Sequence, residues 1–204
     1  FVEENLSGNI TEEDQTIKEN LSAKSISSNN INKQAENLKK LCKVWGYTKY
    51  THSAFLLGQK DWDEELLSLI PPVLSAKNMT EVDSILYNWF IGLGEIKYDT
   101  LNRVPIWAGA KEEDISIQAD TSWILDESYL SKDLSTALSQ LKVVPNINRE
   151  KAPVSFDEMG RSQFYNEKYN NMDYTDNNYR LLGLFRFWNA IEYYFPYIDL
   201  MDDD

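Results

Sequence analysis

A repeated segment constrains the fold of this chain more than any other sequence feature. The stretch 179–196, YRLLGLFRFWNAIEYYFP, is its most apolar and aromatic part, and a shift of 143 positions lays residues 180–196 on 37–53, NLKKLCKVWGYTKYTHS. Like residues then coincide: Leu181 on Leu38, Leu184 on Leu41, Arg186 on Lys43, Trp188 on Trp45, Tyr193 on Tyr50, and the last residue, Asp204, on Asp61. We therefore predict two related helix-loop-helix units, at about residues 37–75 and 179–204, with the second cut short.

Apolar residues in both copies recur at the spacing of an α-helix. One face of the first copy carries Ala35, Leu38, Leu41, Cys42 and Trp45. The matching face of the second copy carries Leu181, Leu184, Phe185, Trp188 and Ile191, widened by Leu182, Phe187 and Tyr194. This pattern predicts amphipathic helices, and the second should be the central, most buried one. Because no run of alternating residues predicts strands, we assign the chain to the all-α class, as an irregular helical bundle.

Capping residues predict where further helices begin, since Asp, Ser and Thr side chains accept hydrogen bonds from the free N–H groups of a first helical turn. Helix starts are expected at Asp61 (with Glu64 as a capping box), at Thr80, at Ser131, and at Asp176 or Thr175. The pair Pro71-Pro72 should kink or split the helix that follows Asp61.

The remaining segments are expected to be irregular. Residues 1–32 are polar with a poor apolar period, so we interpret them as a flexible lead-in to a helical domain over 33–204. Residues 143–178 are rich in Asn, Pro and Tyr, and they show no clear period. A long irregular segment of this kind is usually functional or packed over a core.

Charge and cysteine content exclude several classes of function. The net charge is −13, which disfavours nucleic-acid and anionic-lipid partners because both require a cationic face. No stretch of about 18 apolar residues occurs, so no membrane span is predicted. The single cysteine, Cys42, rules out an intrachain disulfide.

Candidate catalytic groups have simpler structural explanations. His52 is the single histidine, and we interpret it as a half-buried structural residue; with one His and one Cys, no His/Cys zinc site can form. Ser139 and Lys142 fit an S-x-x-K spacing, but the companion S-D-N and K-T-G motifs of penicillin-recognising enzymes are absent. We therefore predict no catalytic, cofactor-binding or metal-binding residue.

Acidic and aromatic clusters are treated in the same way. Helix capping accounts for the acidic group Asp61, Asp63 and Glu64, and the repeat makes Asp202-Asp203-Asp204 the matching helix start. The rings of Trp45, Tyr47, Tyr50, Trp188, Tyr193 and Tyr194 could line a ligand groove. At helical spacing such rings more often belong to a core.

Two stretches resemble a known family. The first is Leu41-Cys42-Lys43-Val44-Trp45-Gly46-Tyr47 with Lys49-Tyr50-Thr51-His52, Asp61-Trp62-Asp63 and Glu65, against the pattern L-x-K-x-W-G-F-L-K-Y-Y-H-P … D-W-D-x-E-L. The second joins Phe164-Tyr165-Asn166-Glu167-Lys168, Met172 and Tyr174 to the run from Tyr179 through Asn189 and on to Glu192-Tyr193-Tyr194-Phe195-Pro196. Together they resemble the N-terminal region of Bacteroidetes-type carboxyl-terminal-processing (tail-specific) serine peptidases. Thr51 and Ser53 depart from the usual Tyr and Pro.

This resemblance implies a non-catalytic helical domain of an exported, extracytoplasmic peptidase, in the periplasm or at the cell surface. The family's Ser nucleophile and Lys base belong to a downstream domain, so no residue here inherits a catalytic role. The implied partners are that domain of the same parent chain and a protein or peptide substrate. We also predict that the parent continues after Asp204 with a Trp and an acidic residue. The alternatives are a stand-alone aromatic module that binds peptide or glycan, and a structural or dimerising helical domain.

Overall fold

A computed structural model describes residues 12–97, 119–142, 150–159, 161–165, 173–195 and 197–198, with side chains from residue 28 onward. Its described part is mostly helical, which confirms the all-α class. The α-helices are α1 (Glu12–Thr51), α2 (Ser53–Leu56), α3 (Trp62–Ser75), α4 (Met79–Gly92), α5 (Lys132–Ser139) and α6 (Asn177–Tyr194). Two 3₁₀ helices, Ser122–Leu125 and Gln140–Lys142, flank α5, and a hairpin of β1 (Val154–Phe156) and β2 (Ser162–Phe164) precedes α6.

The chain divides into two compact units, Phe1–Glu36 and Asn37–Asp204. In the first unit the chain is helical from Glu12, within the segment 1–32 that we interpreted as a polar lead-in. Residues 28–36 of this helix are all exposed. A helix that is exposed on every side needs no apolar stripe, so the periodic signal used to find helices was missing here.

The second unit contains the apolar core. Its most deeply buried side chains include Leu41, Val44, Trp45, Phe55, Leu66, Ile70, Val73, Val82, Leu86, Ile124, Leu134 and Leu138. Asp83 of α4 links α1 and the start of α5. Its Oδ1 lies 2.6 Å from Lys40 Nζ of α1 in a buried ion pair, and its Oδ2 accepts from the N–H of Ser131, which precedes α5. The first repeat helix therefore lies at the centre of this unit.

Most of the predicted helix starts are confirmed. Asp61 accepts from the N–H groups of Asp63 and Glu64, and Asp176 accepts from the N–H of Asn178. Ser131 caps α5 in the same way. The prediction at Thr80 was wrong by two residues, because α4 is capped by Asn78, which accepts from the Glu81 N–H.

Helix α3 runs through Pro71 and Pro72 without a break, so these prolines do not split it. Both prolines lie on its exposed side in the last two turns, where water can bond the carbonyl groups that lose a donor. The loop of the first helix-loop-helix unit contains the short helix α2.

Helix α6 is not the most buried helix. Its buried residues are Leu182, Phe185 and Asn189, whereas Leu184, which we placed on the core face, is 58 % exposed. Phe187 is 66 % exposed. The buried stripe of α6 is therefore narrower than its apolar pattern predicted, and it is rotated around the helix.

The β-hairpin was not predicted. Its strands are three residues long and pair antiparallel, with Val154 opposite Phe164. Asp157 fixes the turn by accepting from the N–H groups of Met159 and Arg161. Strands this short give too few alternating positions for a period to be read from the sequence.

Candidate functional site

Several residues that carry the family resemblance meet where α1, α3 and α6 pack together. We call this cluster the helix junction, and it consists of Cys42, Trp45, Gly46, Lys49, Tyr50, Trp62, Asp63, Arg186, Asn189 and Tyr193. Most of its side chains are buried. The junction unites segments that lie more than a hundred residues apart, so we examined it as the candidate functional site.

Gly46 and Asn189, which are equivalent in the repeat, lie directly against each other. A Cβ added at Gly46 would overlap the side-chain amide of Asn189, so the close approach requires glycine. The Asn189 amide is fully buried and donates to the carbonyl oxygens of Cys42 (3.3 Å) and Phe185 (2.8 Å). This amide therefore bonds α6 to the backbone of α1.

Aromatic rings extend the contact on both sides of this crossing. The rings of Tyr50 and Tyr193, also equivalent in the repeat, meet edge to face with centroids 5.6 Å apart. Tyr50 meets Tyr194 at 4.9 Å, and Trp45 meets Phe185 at 6.5 Å. Such tilted pairs stabilise a contact beyond the area that they bury.

Lys49 is enclosed by aromatic rings. Its Nζ lies 4.9 Å from the ring centre of Trp45, 5.3 Å from that of Tyr50 and 5.6 Å from that of Trp62, and the residue is 2 % exposed. Burial, and then the positive charge of Arg186, lower the pKa of Lys49 to about 7, while Asp61 acts in the opposite direction. The amine can therefore lose its proton near neutral pH, but it is sealed from solvent and offers no reacting group to a substrate.

Asp63 and Arg186 form an ion pair between α3 and α6. The Arg186 Nε donates to Asp63 Oδ1 at 3.0 Å, and its second nitrogen contacts Asp63 Oδ2. Asp63 is fully buried, and 16 % of the Arg186 side chain is exposed. We predicted that Asp63 belongs to a helix cap, but its carboxylate has the different role of bridging to α6, while Asp61 alone provides the cap.

Cys42 and the buried tyrosines are held in their neutral forms. Burial raises the pKa of Cys42 to about 12, although the Asn189 amide acts against this. Burial also raises the pKa of Tyr50 and Tyr193. A thiol with this pKa is inert at neutral pH, so Cys42 is a packing residue.

His52 is buried completely rather than by half. Its Nδ1 accepts from the Ala54 N–H and so caps α2, and its ring meets that of Phe90 edge to face. Burial lowers the pKa of His52 to about 4, an effect that the backbone of Gly94 partly offsets. His52 is therefore a neutral structural residue at neutral pH.

The serine of the S-x-x-K spacing is bonded within its own helix. The Ser139 hydroxyl donates to the Ser135 carbonyl one turn earlier in α5, and Lys142 lies in the 3₁₀ helix that follows. Within the described residues, no group of three His, Cys, Asp or Glu side chains could hold a metal ion. Asp202-Asp203-Asp204 lies outside these residues.

Sequence reasoning found the rings of the junction but missed Lys49, Asn189 and the partner of Asp63. Trp45, Tyr47 and Tyr50 are buried, and Trp188 and Tyr193 are partly buried against the same core. The repeat aligns Asn189 with Gly46, but this alignment does not indicate that the two residues are in contact. For Lys49, its spacing of four residues from Trp45 was the available signal.

Comparison with known proteins adds no assignment: no family model, curated protein or solved structure matches this chain. Over the ranges that the structure describes, every helix is too short or too polar to cross a lipid bilayer.

Proposed function

We propose that this chain is a non-catalytic N-terminal helical domain of an exported serine peptidase. In this role it acts next to the peptidase domain of the same parent chain, outside the cytoplasm, and helps to position substrate, control access or mediate assembly. Proteolysis itself belongs to the downstream domain.

The observation that carries this proposal is that the motif residues at the helix junction are used for packing. There Gly46, Trp45, Trp62 and Asp63 hold α1, α3 and α6 together, and the Ser139 hydroxyl is bonded within its own helix. A motif of buried contacts favours a scaffold over a reaction centre. The burial of Trp45 also weakens the alternative of an aromatic module that binds peptide or glycan.

Two measurements test this function. The chain alone should not cleave casein or unstructured peptides, and joining it to the downstream part of its parent should give a peptidase that loses activity without the helical domain. Cleavage by the chain alone that disappears with Ser139→Ala would refute the proposal. A parent gene that encodes no Ser–Lys peptidase domain would refute it as well.

A further inference from the structure

The outer face of α6 is apolar and exposed. We define it as Arg180, Leu184, Phe187 and Ile191, which lie three or four residues apart on one side of the helix. Leu184 and Phe187 are 58 % and 66 % exposed, Arg180 is exposed, and Ile191 is partly buried. Neighbouring large apolar side chains that remain open to solvent commonly mark an interaction site.

The repeat gives each of these residues an equivalent in α1. The residues 143 positions earlier are Asn37, Leu41, Val44 and Thr48, and all four are fully buried. The same face is therefore covered in the first copy and open in the second. This difference identifies what kind of element the outer face fits.

Helix α3 lies along α1 with the opposite direction. Near its start, the carbonyl of Trp62 accepts from Trp45 Nε1 at 2.7 Å, and near its end, the carbonyl of Val73 accepts from the Asn37 amide at 3.1 Å. Between these points Leu66, Ile70 and Val73 share one core with Leu41 and Val44. Helix α3 is thus one of the elements that cover the first copy, and it is an amphipathic helix that runs antiparallel to α1.

The two copies match in structure as well as in sequence. Helix α1 ends at Thr51 and α6 ends at Tyr194, which is 143 positions later. Equivalent residues also meet each other, Gly46 with Asn189 and Tyr50 with Tyr193. The environment of α1 is therefore a valid guide to what fits α6.

We propose that the outer face of α6 is a docking surface for one amphipathic helix of the α3 type, which runs antiparallel to α6. The apolar side chains of this partner have the spacing of Leu66, Ile70 and Val73. Its C-terminal end lies over Arg180, the equivalent of Asn37. An arginine there is suited to this end, because it can donate to the last carbonyl groups and its charge is favourable at the negative end of the helix dipole.

This inference rests on the repeat and not on the peptidase resemblance, so the two can fail separately. The test appends the sequence of residues 62–76, WDEELLSLIPPVLSA, directly after Asp204, which then takes the position of Asp61. Tethering keeps the local concentration of the added helix high. A matched control extension replaces the leucine, isoleucine and valine equivalent to Leu66, Ile70 and Val73 by serine.

Docking is measured by thiol labelling of the Leu184→Cys variant. Cys42 is buried and its pKa is about 12, so the introduced thiol is the reactive one. We expect the α3-type extension to slow labelling by about tenfold or more, and the serine-substituted extension to leave it unchanged. An Ile91→Cys variant, at a site that is 54 % exposed on α4, should label equally with and without the extension.

Equal labelling of Leu184→Cys with both extensions would overturn the proposal. A second result would also overturn it: light scattering shows that the chain without an extension is a dimer, and labelling shows that Leu184→Cys is already protected in it. The occupant of the outer face would then be a second copy of this chain. A second measurement does not use the cysteine. The α3-type extension should raise Tm, and Phe187→Ser should remove that increase.

Discussion

At the scale of single residues, Lys49 has the most unusual environment in the described part of the chain. Its ammonium group is placed among three aromatic rings, and the charges that act on its pKa are those of Arg186 on α6 and of Asp61, which caps α3. The faces of the rings attract a cation, but burial removes the water that would otherwise solvate it. Burial is the largest cause of the lowered pKa of Lys49.

We expect this lysine to make stability depend on pH. Its pKa is about 7 when folded and has the ordinary value of 10.5 when unfolded, so between these values the unfolded chain holds one more proton. Stability then rises with pH in this window, by at most about 1.4 kcal/mol per pH unit. Urea unfolding of Lys49→Met between about pH 7 and about pH 8.5 should show a flatter profile than the unchanged chain.

The pH window ends at about 8.5 because, above it, other groups make stability fall as the pH rises. The pKa of Cys42 rises from 9.0 to about 12 on folding and that of Tyr47 from 10.0 to about 12, so both make stability fall above their unfolded values. His52 affects the profile below pH 6.5. Lys39→Met, at an exposed position of α1, is the control and should keep the slope. An identical slope in Lys49→Met would contradict the assignment.

Removing one partner of the ion pair between Asp63 and Arg186 should destabilise the fold more than removing both charges. Arg186→Met removes the guanidinium group that pairs with the fully buried Asp63, and we expect a loss of about 3 kcal/mol in the free energy of unfolding. The double variant Arg186→Met with Asp63→Asn removes both charges and should recover part of that loss. Denaturant unfolding of the two variants tests this, and a double variant less stable than the single one would exclude the explanation.

At the scale of elements, the two faces of α6 should respond differently to substitution. Phe185 is 4 % exposed and packs against Trp45, so Phe185→Ala should cost about 3–5 kcal/mol of stability. Phe187→Ala removes a ring that is 66 % exposed and should change stability by about 0.5 kcal/mol or less. Both variants replace phenylalanine by alanine, so thermal unfolding compares the buried face of α6 with its exposed face directly. Equal losses would mean that the outer face of α6 is covered in the free chain.

How far the sequence predicts each element depends on whether the deciding interaction is local. The caps at Asp61, Ser131 and Asp176 were found because a capping side chain bonds the turn that follows it. Local patterns could not distinguish the covered face of α1 from the open face of α6. Their apolar patterns are alike, and the difference lies in which helix packs on each one.

The same limit applies to the junction. Asp63 and Arg186 lie 123 residues apart, so no local pattern pairs them. The repeat was the one long-range signal in the sequence, and it correctly aligned Gly46 with Asn189 and Tyr50 with Tyr193. It did not reveal that each residue would contact its own equivalent, because alignment reports similarity and not proximity.

At the scale of the whole molecule, the repeat and the compact units divide the chain differently. The apolar core of the second unit contains residues from Leu38 to Tyr193, and it includes parts of both repeat copies. The copies are therefore not separate domains, since Asn189 of one is buried against Cys42 and Gly46 of the other. A domain boundary is expected where the core begins and not where a copy ends.

A truncation series locates that boundary. A chain that starts at residue 33 keeps Asn37, Lys40 and Leu41, which are the first deeply buried residues of α1, so it should unfold cooperatively with a Tm within about 5 °C of the full chain. A chain that starts at residue 43 loses the Lys40–Asp83 pair and the bond from Asn37 to α3. Because Asp83 would then be buried without its cation, we expect the cooperative transition to be lost. Circular dichroism during heating distinguishes these outcomes. If the chain from residue 33 failed to fold, the boundary would lie before that residue, which would contradict the predicted helical domain over 33–204.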